Sequence, residues 1–506
     1  MFHFCNFAEI TFIYMIRRNL RFFAVIAAFM VGACSGDKKE SLSIQSEADL
    51  TGLRVALSAG SCYDLDLSAR EDIVLNRFNN APDGLQALLN NKVDVLVDDE
   101  TVFNAVIRKE HGIKIACKGD KSFPTAFMFG KDNEELAQAC TATQKRMEAD
   151  GSMQQSKDFW LKDKYIEAES LPFISGVTEG TPIKVATACS TAPISFMVGN
   201  QWYGIEVDIL RQLAKDLNRP LEIKLYDISS AIMSLESGLV DIVMGGVFVT
   251  EERQQRFLFA EPYHAFRSAY YVVDHEAGKQ HAGLWAELKN SFRKNLIVEK
   301  RWKYITGGLW ETVKISVFAI LLGSVLGLGL FGLMRSRRKW MRSVATAYNW
   351  FIAGIPQLVL LLILFYVVLA KSGFSPTMVA IITFALFFAS SASDIYATSL
   401  DAIPHGQTEA GLALGFTRLQ TFFNIVFPQA VKRGIPLFQG QCVSLLKGTS
   451  IVGYIAIQDL TRAGDIIRSR TFDALVPLLI VTVIYFVLSW IIGLLLKLAL
   501  PKKHVI

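Results

Sequence analysis

Residues 403–438 read IPHGQTEAGLALGFTRLQTFFNIVFPQAVKRGIPLF. This stretch joins two apolar runs, 376–397 and 436–457, each near the ~20-residue length that crosses a bilayer. It is itself too polar to cross. Its pattern predicts a short helix lying at the membrane face, turned sharply at Gly415 and returned at Pro428. Gly411 falls inside that helix, where a glycine lowers intrinsic helix stability slightly.

Three further apolar runs cover 309–333, 347–370 and 474–497, so the sequence predicts five transmembrane helices. The first contains Gly323, Gly327, Gly329 and Gly332, which permit close helix packing. The basic run RSRRKWMR at 335–342 places its loop in the cytoplasm. The segment 398–435 and the tail Lys502-Lys503 then share that side, and 458–473 lies outside. Asp394 and Lys447 sit near span ends, where charges are often only interfacial, and the sequence assigns neither to a path.

Composition agrees with a membrane chain. Hydrophobic residues make up 51% and charged residues 20% of the 506, with most of the apolar excess after Thr306. The net charge of +5 does not read as a nucleic-acid patch, because many basic residues flank apolar runs. No CxxC pair occurs among the seven cysteines, and they suggest neither a metal cage nor a disulfide scaffold. Cys62, Cys117, Cys140 and Cys189, all in the part read as extracytoplasmic, allow one disulfide. No G-x-x-x-x-G-K-[ST] loop is present, so the chain does not cradle ATP phosphates by that route.

Residues 15–36, MIRRNLRFFAVIAAFMVGACSG, place three arginines before a short apolar run that ends in small residues and Cys34. This resembles a bacterial lipoprotein signal with Cys34 as the lipidated residue, and the alternative is a retained helix. Either reading sends the chain from residue 37 onward out of the cytoplasm. Residues 50–275 alternate short β-branched strands with helices, which predicts open α/β lobes. Strands are expected at LRVAL (53–57), VDVLV (93–97), IKVAT (183–187), LEIKLY (221–226) and DIVM (241–244). Helices are expected at 133–149, from about 204 to 217, and 229–237.

The segment 403–438 resembles the coupling loop of ABC importer permeases, especially the polar amino acid class, which places that loop at 401–436. The resemblance rests on Glu409-Ala410, on Gly415 at the kept spacing, on Pro428-Gln429-Ala430, and on the continuation LLKGTSIVGYIAIQDL at 445–460. It implies an all-α permease domain over 305–500 in a bacterial inner membrane. A separate ATP-binding cassette subunit, carrying ATP and Mg, would grip Glu409, Ala410, Gly415 and Pro428. It also implies a permease homodimer, and a transport subunit that is not itself an enzyme.

Residues 183–275 resemble the first-lobe start of the family 3 amino-acid-binding proteins, through GIEVDIL, LESGLVDIVMGG, VTEERQQRFLFAEPY and the closing strand AYYVV. Residues 50–115 resemble the second lobe, and 123–160 the segment that closes the first, through FMFGKDNEELAQ and KRMEADGSMQQSKDFW. The expected fold is therefore a bilobed α/β periplasmic-binding-protein-like domain, with lobe segments at 50–170 and 182–275, a linker at 276–304, and the permease behind it. The order of segments departs from the family. Two readings fit: one permuted domain joined through 161–182, or two incomplete modules completed by a partner chain.

The same resemblance implies a small polar amino acid as ligand. Arg253 would fork onto its carboxylate. Asp99 would hold its ammonium, and Ser61 would stand near the carboxylate. Gly246, Phe248 and Thr250 would line the pocket, with Ile194 or Phe196 as cover. Plainer roles compete: a solvated first-turn arginine, a helix-capping Asp99, or Asp98 in its place. Phe248 stands where the family usually has a small hydroxyl residue. A ligand-gated channel or receptor built on the same lobes is the alternative function.

Overall fold

The computed structural model describes residues 44–498 except 79, 104, 163, 168–170, 172–175, 189, 199–200 and 275–283. The leader with Cys34, together with Cys189 and the Lys502-Lys503 tail, lies outside the described residues.

Two five-stranded sheets form two lobes. In spatial order the first sheet carries Val74–Phe78, Arg54–Ser58, Val95–Asp99, His264–Val273 and Ile113–Thr125. The first three are parallel, and His264–Val273 runs antiparallel to both of its neighbours. The second sheet carries Leu258–Phe259, Met128–Phe129, Ile242–Met244, Ile183–Thr187 and Leu221–Leu225. Its central parallel strands IVM and IKVA are wholly buried apart from Lys184, as expected where both faces are covered. Helix Ile205–Asp216 buries Ile205, Val207, Ile209, Leu210 and Leu213 on the inner side of the second lobe. Side-chain caps from Ser61, Asn80, Asp227 and Thr250 start four of the helices, each contributing about 1 kcal/mol.

Each sheet borrows one strand from the other half of the chain. His264–Val273 completes the lobe built by 50–115, and Met128–Phe129 completes the lobe built by 183–259. The motif AYYVV, expected to close the lobe of 183–275, therefore lies in the opposite sheet. Two neighbouring crossings connect the lobes, tied by Ala126 N–H to the Val247 carbonyl (3.0 Å), Val249 N–H to Pro124 (3.0 Å) and Tyr263 N–H to Thr125 (3.1 Å). All this pairing lies within one chain, so 50–170 and 182–275 make a single bilobed unit.

The C-terminal part is all helical. Three helices are long and apolar enough to cross a membrane: Trp302–Met334, Pro376–Asp401 and Leu475–Leu498. Two further apolar stretches are bent pairs, and counting each as one span raises the number to five. Lys339–Gly354 and Gln357–Val368 meet at 104°. Pro356 causes this bend, because it lacks an N–H and holds Ile355 extended (φ −106°, ψ 130°). The second pair, Arg418–Ile455 and Leu460–Thr471, is bent by 54°. Gly323 and Gly327 do face the packed helix Pro376–Asp401. A Cβ on Gly323 would stand 2.7 Å from Phe388 Cβ, and one on Gly327 2.8 Å from Ala392 Cβ. Gly329 and Gly332 meet nothing within 4 Å, so glycine richness overstated the contact.

Trp302–Met334 sets the distance between the two ends of the helical domain, roughly 50 Å at 1.5 Å per residue. At its start, Tyr304 Oη donates to the Met197 carbonyl of one lobe (3.3 Å). Arg468 pairs with Asp83 of the other lobe (2.6 Å), and Tyr366 Oη donates to the Ser230 carbonyl (3.3 Å). At the far end Arg335 pairs with Asp401, beside the segment 403–438. The lobes and that segment thus occupy opposite ends, as the charge pattern requires.

Candidate functional site

The cleft between the lobes is built by three strand ends and two helix starts. Thr250 caps helix Glu251–Arg256, and its Oγ1 accepts the Arg253 N–H (3.3 Å). That cap aims the Arg253 side chain back across the cleft. Its Nη1 donates to the Phe248 carbonyl (3.1 Å), and its Nη2 to the Gly60 carbonyl of the other lobe (3.3 Å). The guanidinium is half-buried, touches no carboxylate, and burial lowers its pKa. It is therefore not a freely solvated first-turn arginine. Ser61 caps helix Cys62–Leu67 next to Gly60, accepting the Asp64 N–H (3.2 Å).

Asp99 ends its strand at the same cleft and is 3% exposed. Its Oδ1 accepts the Thr101 N–H and hydroxyl, both at 2.7 Å, which is the local capping role. Its Oδ2 is buried without a partner. Asp98 is less buried and accepts the Asp99 N–H (2.8 Å). Burial pushes the Asp99 carboxyl up to about 8 and Asp98 up to about 6. Phe248 meets Tyr63 at 5.6 Å and Phe123 at 6.2 Å between ring centroids, and those two meet edge-on at 5.4 Å. Tyr63 Oη is also buried and unpartnered.

The structure thus gathers Arg253, Thr250, Phe248 and Ser61 around the cleft, with Asp99 at its strand end. Gly246 stands behind them with its N–H already spent, since Glu206 accepts Gly245 N–H and Gly246 N–H at 2.9–3.0 Å and Tyr263 Oη at 2.8 Å. Phe196 is not with them. It is fully buried in the lobe core against Trp160 and Tyr165, with Arg470 stacked 4.1 Å from its ring centroid. Ile194 takes the cover position instead, its Cδ1 3.6 Å from where a Gly246 Cβ would be. Sequence reading missed Tyr63 and Phe123, although Tyr63 comes two residues after the Ser61 cap. Cys62, Cys117 and Cys140 are free thiols. No group of three or more metal-ligating side chains occurs among the described residues.

Asp99 makes stability depend on pH. A carboxyl raised above its unfolded value of about 3.9 favours the folded state below that value and loses this contribution as pH rises through 8. The ligand-free chain should therefore melt at progressively lower temperature between about pH 5 and pH 8, at about 1.4 kcal/mol per unit while Asp99 alone titrates. Asp99→Asn should flatten most of that slope in a thermal melt. An unchanged slope would remove Asp99 from the account.

At the opposite end, helix His405–Ala413 is exposed throughout except at Gly411. Gly411 is there for packing: a methyl on it would stand 2.5 Å from Thr421 Cγ2, so the glycine admits the returning limb of the segment rather than merely weakening a helix. Glu409 and Ala410 face outward. Gly415 ends the turn at φ +88°, its N–H bonded to the Leu412 carbonyl (3.0 Å), with Phe416 N–H bonded to the Gly411 carbonyl (3.2 Å). Pro428 opens helix Phe427–Gly448, and Ala430 packs with Ile403 and Val426 beneath. Leu414 and Leu419 are 76% and 72% exposed, an apolar surface that in water calls for a partner.

Comparison with known proteins agrees with both ends. Residues 319–504 match the family described as binding-protein-dependent transport system inner membrane component. The chain is 32% identical over 213 residues to an L-cystine transport system permease of Bacillus subtilis (strain 168), covering 42% of this chain and 88% of the relative. The chain belongs to the binding-protein-dependent permeases of ABC importers. A putative glutamine transport system permease of Rickettsia felis is 28% identical over 207 residues, covering 40% of this chain and 94% of that relative. Residues 183–411 match the bacterial extracellular solute-binding proteins, family 3. The two matches overlap over 319–411, and the fold assigns that stretch to the permease, because the lobes end with His264–Val273. Among solved structures, one titled as an amino acid ABC transporter with histidines is 28% identical, covering 43% of this chain and 98% of that chain at a TM-score of 0.37. This permease therefore carries its solute-binding domain fused in one chain and serves as a membrane conduit rather than a catalyst.

Proposed function

We propose that this permease imports an amino acid across the bacterial inner membrane, driven by a separate ATP-binding cassette subunit. The reading rests above all on one arrangement: a bilobed cleft at one end of the helical domain and an exposed, apolar-edged helix at the other. Five passes, with both bent pairs counted as spans, put the lobes outside and 403–438 in the cytoplasm. The lobe segments form one permuted binding domain, with 50–170 preceding 182–275. Arg253 takes the ligand carboxylate and Asp99 its ammonium, with Ser61, Thr250, Phe248 and Ile194 around them. Glu409, Ala410, Gly415 and Pro428 receive the ATPase, which holds ATP and Mg. Two copies of the chain enclose the path. Names of the similar permeases support an amino acid as cargo.

Proteoliposomes holding the full chain and its cognate ATPase should accumulate a labelled amino acid only when ATP is supplied. Accumulation without ATP, at an equal rate, would instead indicate a channel.

A further inference from the structure

Helix Leu460–Thr471 of the permease, with the residue that ends it, is held by both lobes at once. Phe472 ends the helix at φ +53°, a left-handed position that helix ends normally fill with glycine and that bulky residues rarely adopt. Its ring enters the core of the first-sheet lobe, where it is 2% exposed and lies 5.0 Å from the Phe103 ring. Gln86 Nε2 of that lobe donates to the Phe472 carbonyl (3.4 Å). Arg468, steadied by Asp465 of its own helix, pairs with Asp83 beside Gln86 (2.6 Å). The second-sheet lobe grips the same helix elsewhere. Ile466 belongs to that lobe's core, and the Arg470 guanidinium stacks on Phe196 there.

The helix is also packed closely on the membrane part. Leu460 N–H donates to Thr312 Oγ1 (3.1 Å), and Leu460, Ala463 and Ile467 share a core with Ile305 and Val481. A Cβ on Gly308 would stand 2.5 Å from the Asp459 carbonyl oxygen, so the backbone at the helix start lies directly on Trp302–Met334. The helix is roughly 18 Å long at 1.5 Å per residue, short enough to move as one body. A change in the angle between the lobes must then either pull Phe472 or Ile466 out of a lobe core, or turn the helix against Trp302–Met334. Returning a buried aromatic ring to water is the costlier course.

We infer that the lobes work without leaving the permease, and that helix Leu460–Thr471, gripped by both, delivers a change in their angle to Trp302–Met334. This rests on the lobes closing on a ligand in the cleft proposed above.

Proteoliposomes holding the full chain and its cognate ATPase test it, with a labelled mixture of the standard L-amino acids as cargo. Asp83→Cys with Arg468→Cys, bridged by a short bis-maleimide, should transport at least as fast as the same chain unbridged, with wild type treated alike as control. A bridge that stops uptake would show that the lobe must undock. Arg468→Glu should lower uptake and amino-acid-stimulated ATP hydrolysis roughly tenfold, while retention of the mixture in equilibrium dialysis changes less than about twofold. Adding Asp83→Arg should recover most of that loss. Uptake unchanged in both Arg468→Glu and Phe472→Ala would overturn the inference and leave the cleft as the ligand site. A wild-type chain that retains no amino acid in dialysis would overturn the reading of the cleft, and the inference with it.

Discussion

Arg253→Ala is expected to remove amino-acid binding by the full chain, weakening it by roughly 100-fold or more. The guanidinium reaches from one lobe to a carbonyl of the other and pairs with no carboxylate among the described residues, and a ligand carboxylate there has the Arg fork as its charged partner. Truncating one member of a desolvated, hydrogen-bonded charge pair costs about 2–5 kcal/mol, because the other charge stays buried without its partner. Arg253 also links Gly60 of one lobe to Phe248 of the other, so its loss removes a bond that holds the cleft closed. Arg253→Lys should restore only part of the affinity, since an ammonium keeps the charge and loses the planar fork. The thermal melt should move little, because the side chain is half-exposed and its partners are carbonyls at the cleft edge. Calorimetry that gives equal affinity for wild type and Arg253→Ala would rule out this register of the site.

The second large effect belongs to the opposite end of the molecule. Gly415→Glu is expected to reduce ATP-driven uptake by roughly 100-fold or more while ligand affinity stays within about twofold. Gly415 has φ +88°, where an L side chain costs about 1–2 kcal/mol, and nothing lies within 4 Å of its absent Cβ. A side chain there leaves the packing of the chain alone and projects into the surface flanked by Leu414 and Phe416. That is where an ATPase subunit would seat, so the damage falls on docking. Glu409→Ala should lower uptake in the same selective way, since Glu409 is exposed on the outer face of its helix. Gly411 makes the contrast. It lies four residues earlier and is buried against Thr421, so a substitution there disturbs the fold of the segment itself. Uptake assays beside a melting curve separate the two. Wild-type uptake in Gly415→Glu would show that this surface does not couple to ATP hydrolysis.

The helix and turn of 403–438, the three long helices and about half of the lobe strands were legible in the linear sequence, because each depends on local pattern. A run of apolar residues long enough to cross a membrane, a strand such as IKVAT, or a glycine and a proline bounding a short helix announces itself within a few turns of chain. Candidate cleft residues came from the family resemblance, and Arg253, Thr250 and Ser61 fall at helix starts, whose geometry is set by their own neighbours. What tertiary structure alone decided depends on partners far apart in sequence. His264–Val273 joins the sheet of the other half of the chain through a register with 96–99 and 113–125 that no local signal carries. Phe196 went to the core and Ile194 to the cleft because packing against Trp160 and Tyr165 chose between two nearby apolar residues. Gly411 is required by a methyl group ten residues away, and Asp99 Oδ2 is buried with no hydrogen-bond partner among the described residues. Burial and close approach are properties of the packed chain, and on them rest the raised Asp99 carboxyl and the shape of the segment around Gly411.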